Sequence, residues 1–168
     1  MSAARKSAPV VPVDPGSPWE HRTGLMPALD GARKKLGGRS LRPSDRAPGA
    51  LVEALLRDGT RRAGVLLWAS GGTCDVWFDD GLARRTRSDA IVPRPQPAPE
   101  ALVRIEAEVR MFASMAEGDR VRWERPTGIA EGRIVEKCRY GAIVVTRGGK
   151  VIAVGFRKLW PAAPGLRA

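Results

Sequence analysis

The sequence predicts a mainly β protein: two tandem copies of one small barrel, joined by one α-helix and preceded by a disordered, basic N-terminal arm. Three observations carry this. Gly64, Gly81 and Pro93 return 68 positions later as Gly132, Gly149 and Pro161, with no gap. Apolar positions travel with them: Leu66 with Ile134, Val76 with Val144, Ile91 with Leu159. One inserted residue upstream extends the match to Gly49 with Gly118 and Val52 with Val121. Self-similarity at a fixed period is the mark of a repeated structural unit. Second, both copies alternate apolar and polar residues in short runs broken by Asp-Gly or Gly-Gly, the pattern of antiparallel hairpins. Third, the copies are separated by a proline-rich segment and one run of helical period.

Residues 1–48 form the arm. Pro9, Pro12, Pro15, Pro18, Pro27, Pro43 and Pro48 interrupt any helix, and apolar residues are sparse. Trp19 is an isolated aromatic beside Pro18, a candidate anchor into a partner's groove. The glycine-punctuated stretch 31–42 carries Arg33, Lys34, Lys35, Arg39 and Arg42, and reads as an arm that lies on phosphates.

Residues 49–93 form the first barrel. A strand over 49–56 leads to the turn Asp58-Gly59, and the second strand, 62–69, closes at Gly71-Gly72. The third, 74–78, turns at Asp79-Asp80-Gly81 into the fourth, 82–87, and a closing turn and short strand end at Pro93. Five short strands at this spacing suggest a small, strongly bent barrel. Residues 94–116 hold a stiff proline-rich linker and a helix over 100–115. Its apolar stripe is Leu102, Ile105, Val109, Phe112 and Ala116. Residues 117–161 repeat the barrel, with strands over 119–125, 128–137, 140–146 and 150–154 and a closing segment from Phe156 to Pro161. Residues 162–168 are a tail.

The net charge is +11, carried unevenly. Residues 1–48 contribute +5, residues 49–97 only +1, and residues 117–168, with 11 basic and 5 acidic groups, +6. A surplus so placed favours polyanions: RNA, DNA, a nucleoprotein complex or an acidic protein surface. Arg outnumbers Lys by 23 to 6, a bias that GC-rich coding also produces. Cys74 and Cys138 lie 64 apart with no second ligand nearby, which gives neither a zinc pattern nor a disulfide framework. The lone histidine, His21, lies in the arm, so no histidine-based metal site or catalytic dyad is available to the barrels. No phosphate loop, nucleophile elbow or paired acid and base is present. No cofactor, no metal and no enzymatic activity are expected. No apolar run approaches the ~20 residues of a membrane span, and residues 7–18 lack the apolar core of a secretory signal. The default expectation is cytoplasmic.

The first copy resembles a Tudor domain within the SH3-like barrel superfamily, on Gly49-x-x-Val52-x-Ala54, Arg62-Ala63-x-Val65, Cys74-x-Val76-x-Phe78-Asp-Asp-Gly81 and Ile91-x-Pro93. The second copy, with Gly118-Asp-Arg-Val121-Arg-Trp123 and Gly132-Arg-Ile134-Val135, is also similar to KOW-type barrels. The resemblance implies a non-enzymatic module that binds peptides or nucleic acid. Tudor domains read methylated Lys or Arg in an aromatic cage. The cage positions map to Leu56, Arg61, Phe78 and about Asp80 in the first copy, and to Arg125, Ile129 and Thr146 in the second. Phe78 is the one aromatic among them, so the chain departs from the family's cage.

The candidate nucleic-acid-binding residues are Arg33, Lys34, Lys35, Arg39 and Arg42 of the arm, with Arg120, Arg122, Arg139, Tyr140, Arg147, Lys150, Arg157 and Lys158 of the second barrel. Arg120 and Arg122 share one face of a strand, and Tyr140 and Trp160 can stack on bases. Arg84, Arg85 and Arg87 form a further basic cluster, partly offset by Asp89. Trp77 and Phe78 are adjacent in a strand and point to opposite faces. Phe78 is read as core and Trp77 as an outward anchor for a protein partner, with Trp19, Asp79 and Asp80 as further candidates, although a plain turn role also accounts for the two aspartates. The leading reading is a non-enzymatic accessory factor that binds nucleic acid or a nucleoprotein. The alternative is a protein–protein adaptor in a larger assembly.

Overall fold

Each half of the chain makes one five-stranded antiparallel sheet. The structure, a computed structural model, describes residues 26–38, 44–95 and 97–162. The first sheet holds β1 (Leu51–Leu55), β2 (Arg61–Ser70), β3 (Thr73–Phe78), β4 (Ala83–Arg87) and β5 (Ile91–Pro93). The second holds β6 (Arg120–Arg125), β7 (Gly128–Cys138), β8 (Gly141–Thr146), β9 (Val151–Gly155) and β10 (Trp160–Pro161). Two α-helices, α1 (Met26–Lys35) and α2 (Glu100–Ser114), accompany them. The strand orders are β4-β3-β2-β1-β5 and β9-β8-β7-β6-β10, the same order twice. The protein is mainly β, as expected, but the ladders do not close into barrels. β5 has three residues and β10 two, and each pairs only with the first strand of its sheet. β4 and β9 therefore remain outer strands.

The offset read in the sequence is a structural equivalence. A register shift falls between Leu66 and Trp68 in β2, and between Ile134 and Glu136 in β7, 68 residues on. A one-residue irregularity of this kind bends a strand, and both sheets bend at the same place. A short 3-10 turn precedes the closing strand in each copy, Ser88–Ala90 and Phe156–Lys158. Gly49 and Gly118 both have positive φ and donate to the carbonyls of Leu66 and Ile134, each at 2.7 Å. Gly64 and Gly132 are needed for close approach. A Cβ on Gly64 would come within 2.8 Å of the Trp77 carbonyl oxygen, and one on Gly132 within 2.6 Å of that of Val145.

The inner face of the first sheet buries Val52, Ala54, Leu66, Ala69, Cys74, Val76, Phe78 and Ile91. The other face of β2 (Ala63, Val65 and Leu67) belongs to a second, larger core. That core joins Leu102, Ile105, Val109 and Phe112 of α2 to Val121, Trp123, Ile134, Val144, Val154, Phe156 and Leu159 of the second sheet. The stripe predicted for α2 is therefore buried, except for Ala116, which lies exposed beyond the helix end. Lys137 closes that end: its Nζ donates to the carbonyls of Phe112 and Met115, each at 2.7 Å, and sits 4.4 Å from the centre of the Phe112 ring.

Residues 26–35, expected to belong to a disordered arm, form α1 instead. The helix packs on the outer face of the second sheet, where Leu29, Ala32 and Leu36 are buried with Cys138 and Ile143. Pro27 lies in the first turn, where a missing N–H costs nothing. Arg33, Lys34 and Lys35 lie in the last turn, where positive charge suits the helix dipole. A ten-residue helix with an internal glycine is marginal by itself, so packing on the sheet sustains it. The N-terminal helix thus covers the C-terminal unit.

Replacing Gly64 or Gly132 by alanine drives a methyl group into the neighbouring strand. Each substitution is expected to destabilise the protein by about 1–3 kcal/mol, measured by denaturant unfolding. Closely matched losses are expected from the two, because the two sites are geometric copies.

Candidate nucleic-acid interface

A set of backbone hydrogen bonds ties three segments together at one end of the second sheet. The Tyr140 N–H donates to the Leu36 carbonyl (3.1 Å), the Arg139 N–H to that of Gly38 (3.2 Å), and the Phe156 N–H to that of Tyr140 (2.9 Å). The end of α1, the β7–β8 turn and the 3-10 turn after β9 therefore meet. With them come Arg33, Lys34, Lys35, Arg139, Tyr140, Arg157 and Lys158, seven of the sequence-predicted phosphate contacts.

Four of the seven are engaged inside the protein. Arg33 makes a two-pronged pair with Glu136, at 2.8 and 2.7 Å, and also reaches Asp30 at 3.0 Å. Glu136 is only 4 % exposed. Arg139 lies 4.7 Å over the Trp68 ring and 3.9 Å from Asp75, a fully buried carboxylate that also takes both prongs of Arg85 at 3.0 and 3.4 Å. Tyr140 packs against the shared core, and burial followed by the Asp75 charge pushes its phenol above the ordinary range. Arg157 donates to Glu108 at 2.8 Å and lies 5.2 Å over the Trp77 ring. These four join helix to sheet and sheet to sheet, each already engaged with a carboxylate or an aromatic ring of the protein itself. Lys34, Lys35 and Lys158 are exposed, with no carboxylate partner among the described residues.

The remaining predicted contacts are dispersed. Arg147 and Lys150 occupy the exposed β8–β9 turn at the opposite end of the sheet. Arg120 and Arg122 share a face of β6, but Arg120 pairs with Glu131 at 3.1 Å and Arg122 is half-buried, with its Nε enclosed. Arg39, Arg42 and Trp19 lie outside the described residues. Trp77 does point away from Phe78, which is fully buried in the first core. It is no outward anchor, however: its ring meets Phe156 edge-on at 6.0 Å, within the junction of the two sheets. Asp79 and Asp80 hold the β3–β4 turn. Asp80 accepts from Arg62 (2.7 Å), from Arg84 (2.6 Å) and from the Leu82 N–H (3.1 Å), and Asp79 lies 3.3 Å from Arg62.

The sequence reading missed a cleft of about 910 Å³ in the first unit. Arg57, Arg61, Arg62, Arg84, Arg85 and Arg87 line it, with Asp58 as the sole acid and Leu55, Leu56 and Phe78 among the apolar groups. Leu56, Arg61 and Phe78, three of the four positions that the sequence resemblance maps to a cage, line the cleft. Arg84 of this chain lies 5.4 Å over Phe78, so a guanidinium of the protein itself covers the one aromatic face. The signal was present as Arg61-Arg62 and Arg84-Arg85-x-Arg87. Only the folding of the β1–β2 and β3–β4 hairpins brings the two runs to one opening.

The geometry defines a duplicated, two-sheet antiparallel protein with arginine- and lysine-rich surfaces. No protein-family model and no curated protein matches the sequence. Among solved structures, a crystal structure of Arabidopsis thaliana AGDP1 AGD34 is matched at 18% identity over 80% of this chain and 90% of that one, with a TM-score of 0.27. A superposition at that TM-score carries no weight for the fold, which rests on the strand orders and registers above.

Arg33→Ala would take from the buried Glu136 carboxylate its two-pronged guanidinium. The expected loss is roughly 3 kcal/mol, read by chemical denaturation, and adding Glu136→Gln should restore part of it. In the first unit, three carboxyl groups are held below their ordinary range: Asp58 chiefly by the Thr60 hydroxyl, Asp80 by Arg84 and Asp89 by Arg87. Each binds fewer protons folded than unfolded, so its contribution to stability is complete above about pH 4 and fades as pH falls further. Residue-resolved hydrogen exchange should therefore show the β1–β2 and β3–β4 hairpins of the first unit loosening as pH drops below 4, and Asp80→Asn should blunt that response at the β3–β4 turn.

Proposed function

We propose that the chain is a non-enzymatic accessory factor that binds nucleic acid, or a nucleoprotein, by its phosphates through the second sheet and α1, and that its first unit holds a protein partner. The observation that carries this reading is how the cations are paired. In the first unit Arg61, Arg62, Arg84, Arg85, Arg87 and Arg94 each have a carboxylate partner, and Arg57 is the one arginine of residues 49–95 with none among the described residues. On the second sheet and α1, Lys34, Lys35, Arg125, Arg147, Lys150 and Lys158 are exposed with no carboxylate partner among the described residues. An uncompensated set of cations attracts a polyanion and releases its counterions on binding. The two ends of this surface are separated by the length of β8, six residues or about 20 Å, a span that suits a tract of several phosphates rather than a single anion.

The test is fluorescence anisotropy with labelled single-stranded RNA and duplex DNA across a salt series. Replacing Arg147, Lys150 and Lys158 together by alanine is expected to weaken binding by about tenfold or more. It should also flatten the log–log salt slope by roughly 2, since each lost phosphate contact removes about 0.7–0.9. An affinity and slope equal to those of the parent chain would overturn the assignment.

A further inference from the structure

We propose that the free edge of β4, with the arginine-lined cleft beside it, binds an extended acidic peptide segment of a protein partner. The inference rests on the reading that the first unit holds such a partner, and gives it a site and a chemistry.

Among the described residues β4 is the last strand of its sheet and pairs with β3 alone. The Phe78 N–H donates to the Leu82 carbonyl at 3.0 Å, and the Ser88 N–H to that of Gly72 at 2.9 Å. In an antiparallel pair the bonded positions alternate, so Leu82, Arg84, Thr86 and Ser88 face β3. The N–H and C=O groups of Ala83 and Arg85, and the N–H of Arg87, point the other way, the Arg87 carbonyl lying at the N-cap of the 3-10 turn. A row of this kind is a template for one more strand.

The side chains along the edge decide which strand. Arg84, Arg85 and Arg87 lie on β4 itself, and Arg57, Arg61 and Arg62 face them across the cleft. A second copy of β4 would set arginines against arginines, so self-pairing is disfavoured. The corresponding strand of the second unit, β9, has Ile152, Ala153 and Gly155 where β4 has Arg84, Arg85 and Arg87. The charge is therefore particular to this edge and is not a feature of the repeat.

The arginines already pair with carboxylates, and two of these pairs reach the solvent. The side chains of Arg61 and Arg87 are 66 and 79% accessible, with partners Glu53 and Asp89 at 31 and 64%, whereas Arg85 is held by buried Asp75. Exposed pairs hold by little, so an incoming carboxylate can exchange for one at small cost. The carboxylates Asp58, Asp79, Asp80 and Asp89 stand around the opening. They would repel a continuous phosphate chain, whereas glutamates spaced two apart on a strand can pass between them. Leu55, 49% exposed, and Leu56 offer contact to the alternate, apolar side chains of such a strand. These features favour a peptide over a nucleic acid at this site.

The experiment titrates the full chain into a fluorescein-labelled ten-residue peptide of alternating Glu and Val, into its Gln-for-Glu counterpart, and into a single-stranded oligonucleotide of equal charge. The Glu peptide is expected to bind at least tenfold more tightly than the Gln peptide. Arg61→Glu with Arg87→Glu should weaken it roughly tenfold or more and leave oligonucleotide affinity unchanged. Arg87 has φ −80° and ψ 143°, a conformation proline adopts, and its N–H points away from β3. Arg87→Pro should therefore bind the peptide about fivefold more weakly than Arg87→Ala, through loss of one hydrogen bond. The amides of Ala83 and Arg85 should gain exchange protection when the peptide is added. Absence of binding by the Glu peptide overturns the proposal. So does equal binding by the proline and alanine variants with no amide protection. If the charge reversals weaken the oligonucleotide and spare the peptide, the cleft is a phosphate seat and the proposal fails. The Arg147, Lys150 and Lys158 variant tests the nucleic-acid reading separately, so the two can fail independently.

Discussion

A unit of about 45 residues is near the lower limit at which one core can sustain a fold, and everything else in this protein follows from the way that limit is met. The central strands are buried on both faces. β2 sends Leu66 and Ala69 into the core of its own sheet, and Ala63, Val65 and Leu67 into the core shared with α2 and the second sheet. β8 does the same, with Val144 inward and Ile143 against α1. Neither sheet has a face to spare, so each outer face is covered by a helix or by the other sheet. The β2 segment in consequence reads as a nearly continuous apolar run, where a half-exposed strand would alternate cleanly.

That demand reassigns side chains which look like ligand-binding groups. Trp77, Arg139, Tyr140 and Arg157 are the aromatic and cationic residues typical of an interface, and they form one here, between the two units. Buried Asp75 is its centre. Arg85 from its own sheet and Arg139 from the other approach it, and Trp68 packs beneath Arg139. A carboxylate withdrawn from water needs such partners, and Arg139 is one of them. Exposed cations of the second unit and α1 without a carboxylate partner among the described residues, Lys34, Lys35, Arg147, Lys150 and Lys158, stand near the two ends of β8 and on the last turn of α1.

The duplication has preserved the backbone and altered the surface. The irregularity in β2 and β7, the tight glycines Gly64 and Gly132, and the 3-10 turns coincide at one offset. The outer strands have diverged: β4 carries arginines where β9 carries small and apolar residues that support the shared core and α1. One copy thus keeps an open, charged edge and the other uses the same strand for packing. Two copies of one scaffold come to hold two different surfaces.

The sequence by itself determined the two-fold repetition, the strand positions to within one or two residues, the amphipathic α2 and the inward face of Phe78. These are local properties: period, turn chemistry and the alternation of a pleated strand. Tertiary structure alone decided the existence of α1, the open rather than closed ladders, the partners of Trp77, Arg33 and Arg139, and the convergence of Arg61-Arg62 with Arg84, Arg85 and Arg87 on one cleft. The physical reason is distance along the chain. Leu29 and Ile143, or Arg33 and Glu136, are more than 100 residues apart. A weak ten-residue helix shows itself only when the sheet that buries it is in place.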